Sequence, residues 1–189
     1  MRDVEPLFSA LRERLPPDVS TSSASPTEIA LAESQLGFPL PPLLRQIYGV
    51  ANGGLGPGFG LLRIGEGQGT LVGVHRSLAD SSFAPRPGEP GFDQYPWPDR
   101  LLPICDWGCA IWSCLDCRTD DGAIVTPSNG DAFANTGHTL ESWLSAWLAG
   151  VELFEEMFEP GPTRAGINPL TKQPIVIKGQ GKPRGTKWP

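Results

Sequence analysis

Glycine and proline punctuate this chain, and where they fall limits what it can fold into. There are 23 Gly and 21 Pro in 189 residues. Such a content breaks long helices, supplies many turns and predicts short elements rather than a helix bundle. The punctuation is ordered near the N-terminus. Val4, Leu7, Phe8, Leu11 and Leu15 recur at helical spacing and stop at Pro16-Pro17. Ser25-Pro26-Thr27-Glu28 has the form of a capping box with proline at the first helical position. Ile29, Ala32 and Leu36 then share a face, and Gly37 stands where a left-handed cap belongs. Pro41-Pro42 opens a third helix with Leu43, Leu44, Ile47 and Tyr48 on its apolar side, and Asn52-Gly53-Gly54 closes it.

Beyond this point the period shortens. Phe59 to Ile64, Thr70 to His75, Leu101 to Asp106, Ala110 to Cys117 and Ala123 to Val125 read as strands, with a turn at Asp121-Gly122. Ser81 to Pro98 reads as a Pro/Gly-rich surface loop. Thr139 is placed to cap a long closing helix whose apolar stripe is Leu140, Trp143, Leu144, Trp147, Leu148, Val151, Phe154 and Phe158. Past Pro160, only Pro174 to Lys178 looks strand-like. The expected fold class is α+β: a mainly antiparallel central sheet with N-terminal helices, a closing C-terminal helix and a basic Gly/Pro-rich tail. The expected divisions are 1–24 (helix and linker), 25–158 (domain) and 159–189 (tail).

Charge is unevenly spread. Met1 to Glu159 holds nine arginines against 21 acids, a net of −12, whereas Pro160 to Pro189 holds six bases and no acid. An acidic body repels phosphates and attracts basic partners. No run of 18 apolar residues is present, so no membrane span is expected. The early acids Asp3 and Glu5 and the missing apolar core argue against an export signal, and the cytoplasm is the expected compartment.

The ordered series Glu28, Leu36-Gly37, Leu40-Pro41, Ile47-Tyr48 and Asn52-Gly53-Gly54 resembles the N-terminal signature of SUKH domains, above all the branch named for a fungal cell-wall synthesis regulator. Ile104-Cys105-Asp106-Trp107-Gly108, then Asp116, Asp121-Gly122 and Val125, resemble that family's core strands and hairpin. Thr139-Leu140-Glu141-Ser142-Trp143-Leu144 resembles its closing helix. The similarity covers about residues 25 to 158. The residues that carry it (Gly37, Pro41, Tyr48, Asn52, Gly53, Gly54, Gly108, Gly122 and Trp143) are chiefly caps, turns and core, so what they preserve is a scaffold. The resemblance implies a non-enzymatic protein-binding module: an immunity protein that neutralises a toxin, or an adaptor that regulates a partner.

No catalytic constellation competes with that reading. The two histidines, His75 and His138, fall in no metalloprotease motif, and Gly56-Pro57-Gly58-Phe59-Gly60 follows a helix and lacks the Lys-Ser/Thr pair of a phosphate loop. Asp120 and Asp121 suit a turn. Asp106 and Asp116 flank aromatic strands near Trp107 and Trp112, and an acid framed by tryptophan suits a partner surface. These four are the candidate binding residues, with a protein partner, a basic toxin for example. No cofactor is called for.

Two alternatives arise from other segments. Cys105, Cys109, Cys114 and Cys117 are spaced C-x3-C-x4-C-x2-C, which raises a zinc-binding regulatory domain. Zinc requires a tetrahedron, however, and positions 114 and 117 of one strand point to opposite faces. Buried free thiols acting as small hydrophobes fit better. In the tail, Asn168-Pro169-Leu170-Thr171 before an alternating strand is similar to the β-arm tip of HU-type DNA-bending proteins. That implies a nucleic-acid-associated protein, a reading that the acidic body disfavours.

Overall fold

A computed structural model of the chain describes residues 4–15, 22–80, 97–108, 111–127 and 133–188. Four helices come first: α1 (Glu5–Glu13), α2 (Pro26–Leu36), α3 (Pro42–Val50) and α4 (Leu71–Ala79). Strands β1 (Leu101–Asp106), β2 (Trp112–Asp116), β3 (Ala123–Pro127) and β4 (Phe133–Thr139) follow, then α5 (Leu140–Leu148) and α6 (Leu153–Met157). The chain continues into β5 (Phe158–Ile167), β6 (Pro174–Pro183) and β7 (Thr186–Lys187). The main sheet has the order β1-β2-β3-β4-β7 and every pairing in it is antiparallel, while β5 and β6 form a separate two-stranded ribbon. The fold is α+β, and no helix of the described residues is long and apolar enough to cross a membrane.

Local chemistry sets the first helices. The Ser25 hydroxyl accepts from the Glu28 amide at 3.2 Å, and the Glu28 carboxylate accepts from the Ser25 amide at 2.7 Å. Gly37 ends α2 at φ 81°, a left-handed conformation that glycine adopts at little cost. The Tyr48 hydroxyl, fully buried, donates to the Leu62 carbonyl at 2.7 Å and so ties α3 to the following loop. Burial pushes its phenol pKa well above the ordinary tyrosine value, which keeps it a donor.

The main core lies between the helices and one face of the sheet. Leu11, Leu44, Ile47, Trp143 and Leu144 meet Leu102, Ile104, Leu115 and Ile124 there. A register shift between Pro103 and Cys105 turns Cys105 into this core as well. The other face carries a smaller cluster of Leu101, Cys114 and Val125, covered by Trp188 and flanked by Trp97, Trp112 and Phe133.

Three sequence expectations need correction. Thr70–His75 is not a strand: Thr70 caps α4 by accepting from the Gly73 amide at 3.2 Å, and Leu71, Val72, Val74 and Leu78 are buried on the helix. Phe59–Ile64 is a loop, although Leu61 bridges Cys105 and the Leu62 amide donates to the Ile104 carbonyl at 2.8 Å. The closing helix is not continuous: Gly150 takes φ 82° and the chain restarts as α6. Strand β4 and the pairing of β7 with it were not read from the sequence. Most of the expected surface loop, residues 81–96, and Pro16-Pro17 lie outside the described residues.

Candidate functional site

The glycines that stop α3 also shape a surface groove. Asn52 donates from Nδ2 to the Ile64 carbonyl at 2.9 Å and accepts from the Ile64 amide at 2.7 Å, as a strand residue would. The Gly54 amide donates to the Leu61 carbonyl at 2.9 Å and the Phe59 amide to the Asp106 carbonyl at 3.0 Å. The loop is thus held between the end of α3 and the edge of β1. The open concavity it makes is lined by Gly53, Gly54, Gly60, Arg63 and Asp106, with Phe59 at its rim.

Phe59 is 74% exposed, and its ring passes over Gly108, where a Cβ would stand 3.5 Å from it. Asp106 accepts from the Gly108 amide at 2.7 Å, which fixes the turn after β1. Trp107 is half-buried, donates to Ser113 Oγ at 2.9 Å, and lies 5.5 Å from the half-exposed Phe154 ring. Glu152, Glu155 and Glu156 around Phe154 are exposed. Aromatic side chains framed by carboxylates offer apolar anchorage inside an acidic rim.

The four candidate binding residues do not form one patch. Asp106 pairs with Trp112 at one end of the β1–β2 hairpin, and Leu101 pairs with Asp116 at the other. Trp107 packs at the edge of the main core, whereas Trp112 belongs to the opposite face of the sheet. Asp116 is buried. Its carboxylate accepts from Arg118 Nε at 2.9 Å, Arg118 Nη2 at 2.7 Å, the Arg118 amide at 3.0 Å and the Trp188 indole at 3.0 Å. The Arg118 guanidinium also lies 4.3 Å from the Trp188 ring centre. Asp116 therefore fastens the C-terminal strand to the sheet. Its partner Trp188 lies 72 residues away, beyond any local pattern. Phe59, the most exposed aromatic at the groove, was masked by its reading as a strand residue.

Burial alone would raise the Asp116 pKa, but the hydrogen bonds from Arg118 and Trp188 and the Arg118 charge outweigh it and hold the carboxyl below its ordinary value. A depressed carboxyl pKa stabilises the fold above the unfolded-state value, about 3.9, and that contribution is lost as pH falls through the folded-state value. Asp116→Asn is expected to cost about 1–3 kcal/mol near neutral pH. In denaturation midpoints followed from neutral pH to about pH 2, the gap between wild type and variant should close on the acid side. A gap that stays constant would show that the charge does not fasten the strand.

The thiols fall into two places. Cys105 and Cys117 join the main core and Cys114 the opposite cluster. Cys105 donates to the Pro57 carbonyl at 3.1 Å, and burial pushes its pKa up to about 12. Burial raises Cys114 and Cys117 too. Among the described residues no group of His, Cys, Asp and Glu is placed to hold a metal, and Cys109 lies outside them.

Comparison with known proteins adds one positive finding. The model of the SMI1 / KNR4 family (SUKH-1) matches residues 23–146, more than half of the chain. Neither the curated proteins nor the solved structures contain a match.

Proposed function

The chain belongs to the SMI1 / KNR4 family (SUKH-1), and from that membership we propose that it is an immunity or adaptor protein that neutralises or regulates a basic protein partner by binding it. The family is in general non-catalytic. The observation that carries the reading is Phe59, 74% exposed at the rim of a glycine-lined groove beside Asp106. A large aromatic left in solvent next to a concavity is a ready hot spot. The surrounding acids would speed encounter with a positively charged partner by electrostatic steering. Of the four candidate residues, we assign Asp106 and Trp107 to this face; Asp116 is buried against Arg118 and Trp188, and Trp112 lies on the opposite face of the sheet. The cytoplasm remains the compartment we propose.

The test is kinetic. A basic toxin encoded beside this gene is the partner to try, with co-expression expected to restore growth. Its association rate should fall as salt rises. Phe59→Ala is expected to weaken the complex by about tenfold or more through faster dissociation. Asp106→Asn, which keeps the acceptor for the Gly108 amide, should slow association while the melting curve stays in place. A complex indifferent to salt and to both substitutions would sink the proposal. All variants are made in the full chain, because β7 and Trp188 at its C-terminal end belong to the sheet and its smaller core.

A further inference from the structure

We infer that the β5–β6 ribbon is an arm that binds duplex DNA, independently of the groove. The ribbon has its own register, Thr163 opposite Lys178 through Ile167 opposite Pro174, and shares no strand with the main sheet. It is rooted where β5 leaves α6 and where the Arg184 amide donates to the Met157 carbonyl at 2.8 Å. Away from that root it is exposed to solvent from Pro162 to Val176, apart from partial cover at Gly166 and Asn168.

Its tip is built rather than loose. Asn168 Oδ1 accepts from the Leu170 amide at 2.9 Å and the Thr171 amide at 3.1 Å. The Asn168 amide donates to the Gln173 carbonyl at 2.9 Å, and Lys172, at φ 59°, donates its amide to the Asn168 carbonyl at 2.8 Å. This fastened turn holds Leu170 89% exposed, with Val176 at 72% and Ile167 at 67%. The pairing of Ala165 with Val176, and the two-residue step to Ile167, set Val176 and Ile167 on one face, with Leu170 in the turn beyond them. An ordered turn that keeps three large apolar side chains in water lowers the cost of burying them against something else.

Charge selects the occupant. From Pro160 onward the chain has six bases and no acid; four of them, Arg164, Lys172, Lys178 and Lys182, fall within the ribbon, and Arg164 and Lys172 are exposed and in no ion pair among the described residues. Its strands pair with each other, and from Pro162 to Val176 the arm is largely exposed rather than covered by the acidic body. The body's charge does not forbid a polyanion at the tip. Ten-residue strands reach about 30 Å, several times the Debye length of about 8 Å at physiological salt. A two-stranded ribbon fits the major groove of B-form DNA, whereas the A-form groove of RNA is deep and narrow. The bases would meet phosphates and the apolar tip the groove.

The full chain should be titrated into a labelled mixed-sequence DNA duplex and followed by fluorescence anisotropy. If four bases meet phosphates, affinity should fall roughly 100-fold between about 50 and 200 mM salt. Arg164→Glu combined with Lys172→Glu should abolish binding and leave the melting curve unchanged. Leu170→Ala should weaken binding several-fold without changing the salt dependence, and Phe59→Ala should bind DNA as wild type does. No binding at low salt, or binding that survives the double charge reversal, overturns the inference. So does equal or tighter binding to duplex RNA. A ribbon-dependent self-association or attachment to anionic vesicles, with the DNA duplex left unbound, overturns it too.

Discussion

Truncation of Trp143 to alanine is expected to lower folding stability by about 3–5 kcal/mol. The indole is 1% exposed and sits on α5, which packs on β3 and β4 and also meets α1 and α3. One side chain thus joins the helical layer to the sheet. Its loss removes transfer energy and leaves a void that rigid neighbours fill only in part. Trp143 also borders a small cavity with Leu153, Met157 and His138, so the void would merge with existing space instead of collapsing. Domains of this size are stable by about 5–15 kcal/mol, so the variant would be marginal. Urea denaturation followed by circular dichroism checks this, with Trp143→Phe expected to lose much less. A loss below about 1.5 kcal/mol would mean that α5 is not locked onto the sheet as described.

Residues whose job is done within a few positions could be read from the sequence. The Ser25–Glu28 box, the Gly37 cap, the prolines before α3 and the Asn52-Gly53-Gly54 stop act through local backbone chemistry. So does Thr139, whose hydroxyl accepts from the Ser142 amide at 3.3 Å. Misreadings arose where two periods fit the same residues. The β-branched Val72 and Val74 favour a strand, yet Thr70 caps the segment and burial at 71, 74 and 78 follows a helix. The stripe of Val151, Phe154 and Phe158 continues the period of α5, although Gly150 turns the chain between them.

The candidate site was harder to read, for the same reason at longer range. Asp106 and Trp107 stand beside the groove, but its other wall comes from Phe59 and Gly60 and depends on hydrogen bonds from a loop that resembles a strand in sequence. The ribbon was hidden by Pro160 and Pro162, which a central strand would not tolerate. Both strands of a two-stranded ribbon are edges, so proline is admitted where its missing N–H faces outward.

Gly60→Ala is expected to destabilise the fold by roughly 2–5 kcal/mol, and Gly54→Ala by only about 1–2 kcal/mol. Both glycines have positive φ, 81° and 76°, so an L side chain pays the left-handed penalty at either. Their surroundings differ. A Cβ on Gly60 would lie 2.6 Å from the Gly54 carbonyl carbon and 2.7 Å from its oxygen, backbone atoms that cannot rotate away, whereas a Cβ on Gly54 meets nothing within 4 Å. The difference between the two variants therefore isolates the steric cost of parting the loop from the end of α3. That parting would strain the hydrogen bond from the Gly54 amide to the Leu61 carbonyl and displace Phe59, the next residue back. The Gly60 variant should accordingly lose partner binding even at temperatures where it remains folded, while the Gly54 variant keeps it. Equal destabilisation of the two, measured by urea denaturation, would refute the close approach; a Gly60 variant that still binds at full strength would separate the groove from the function proposed for it.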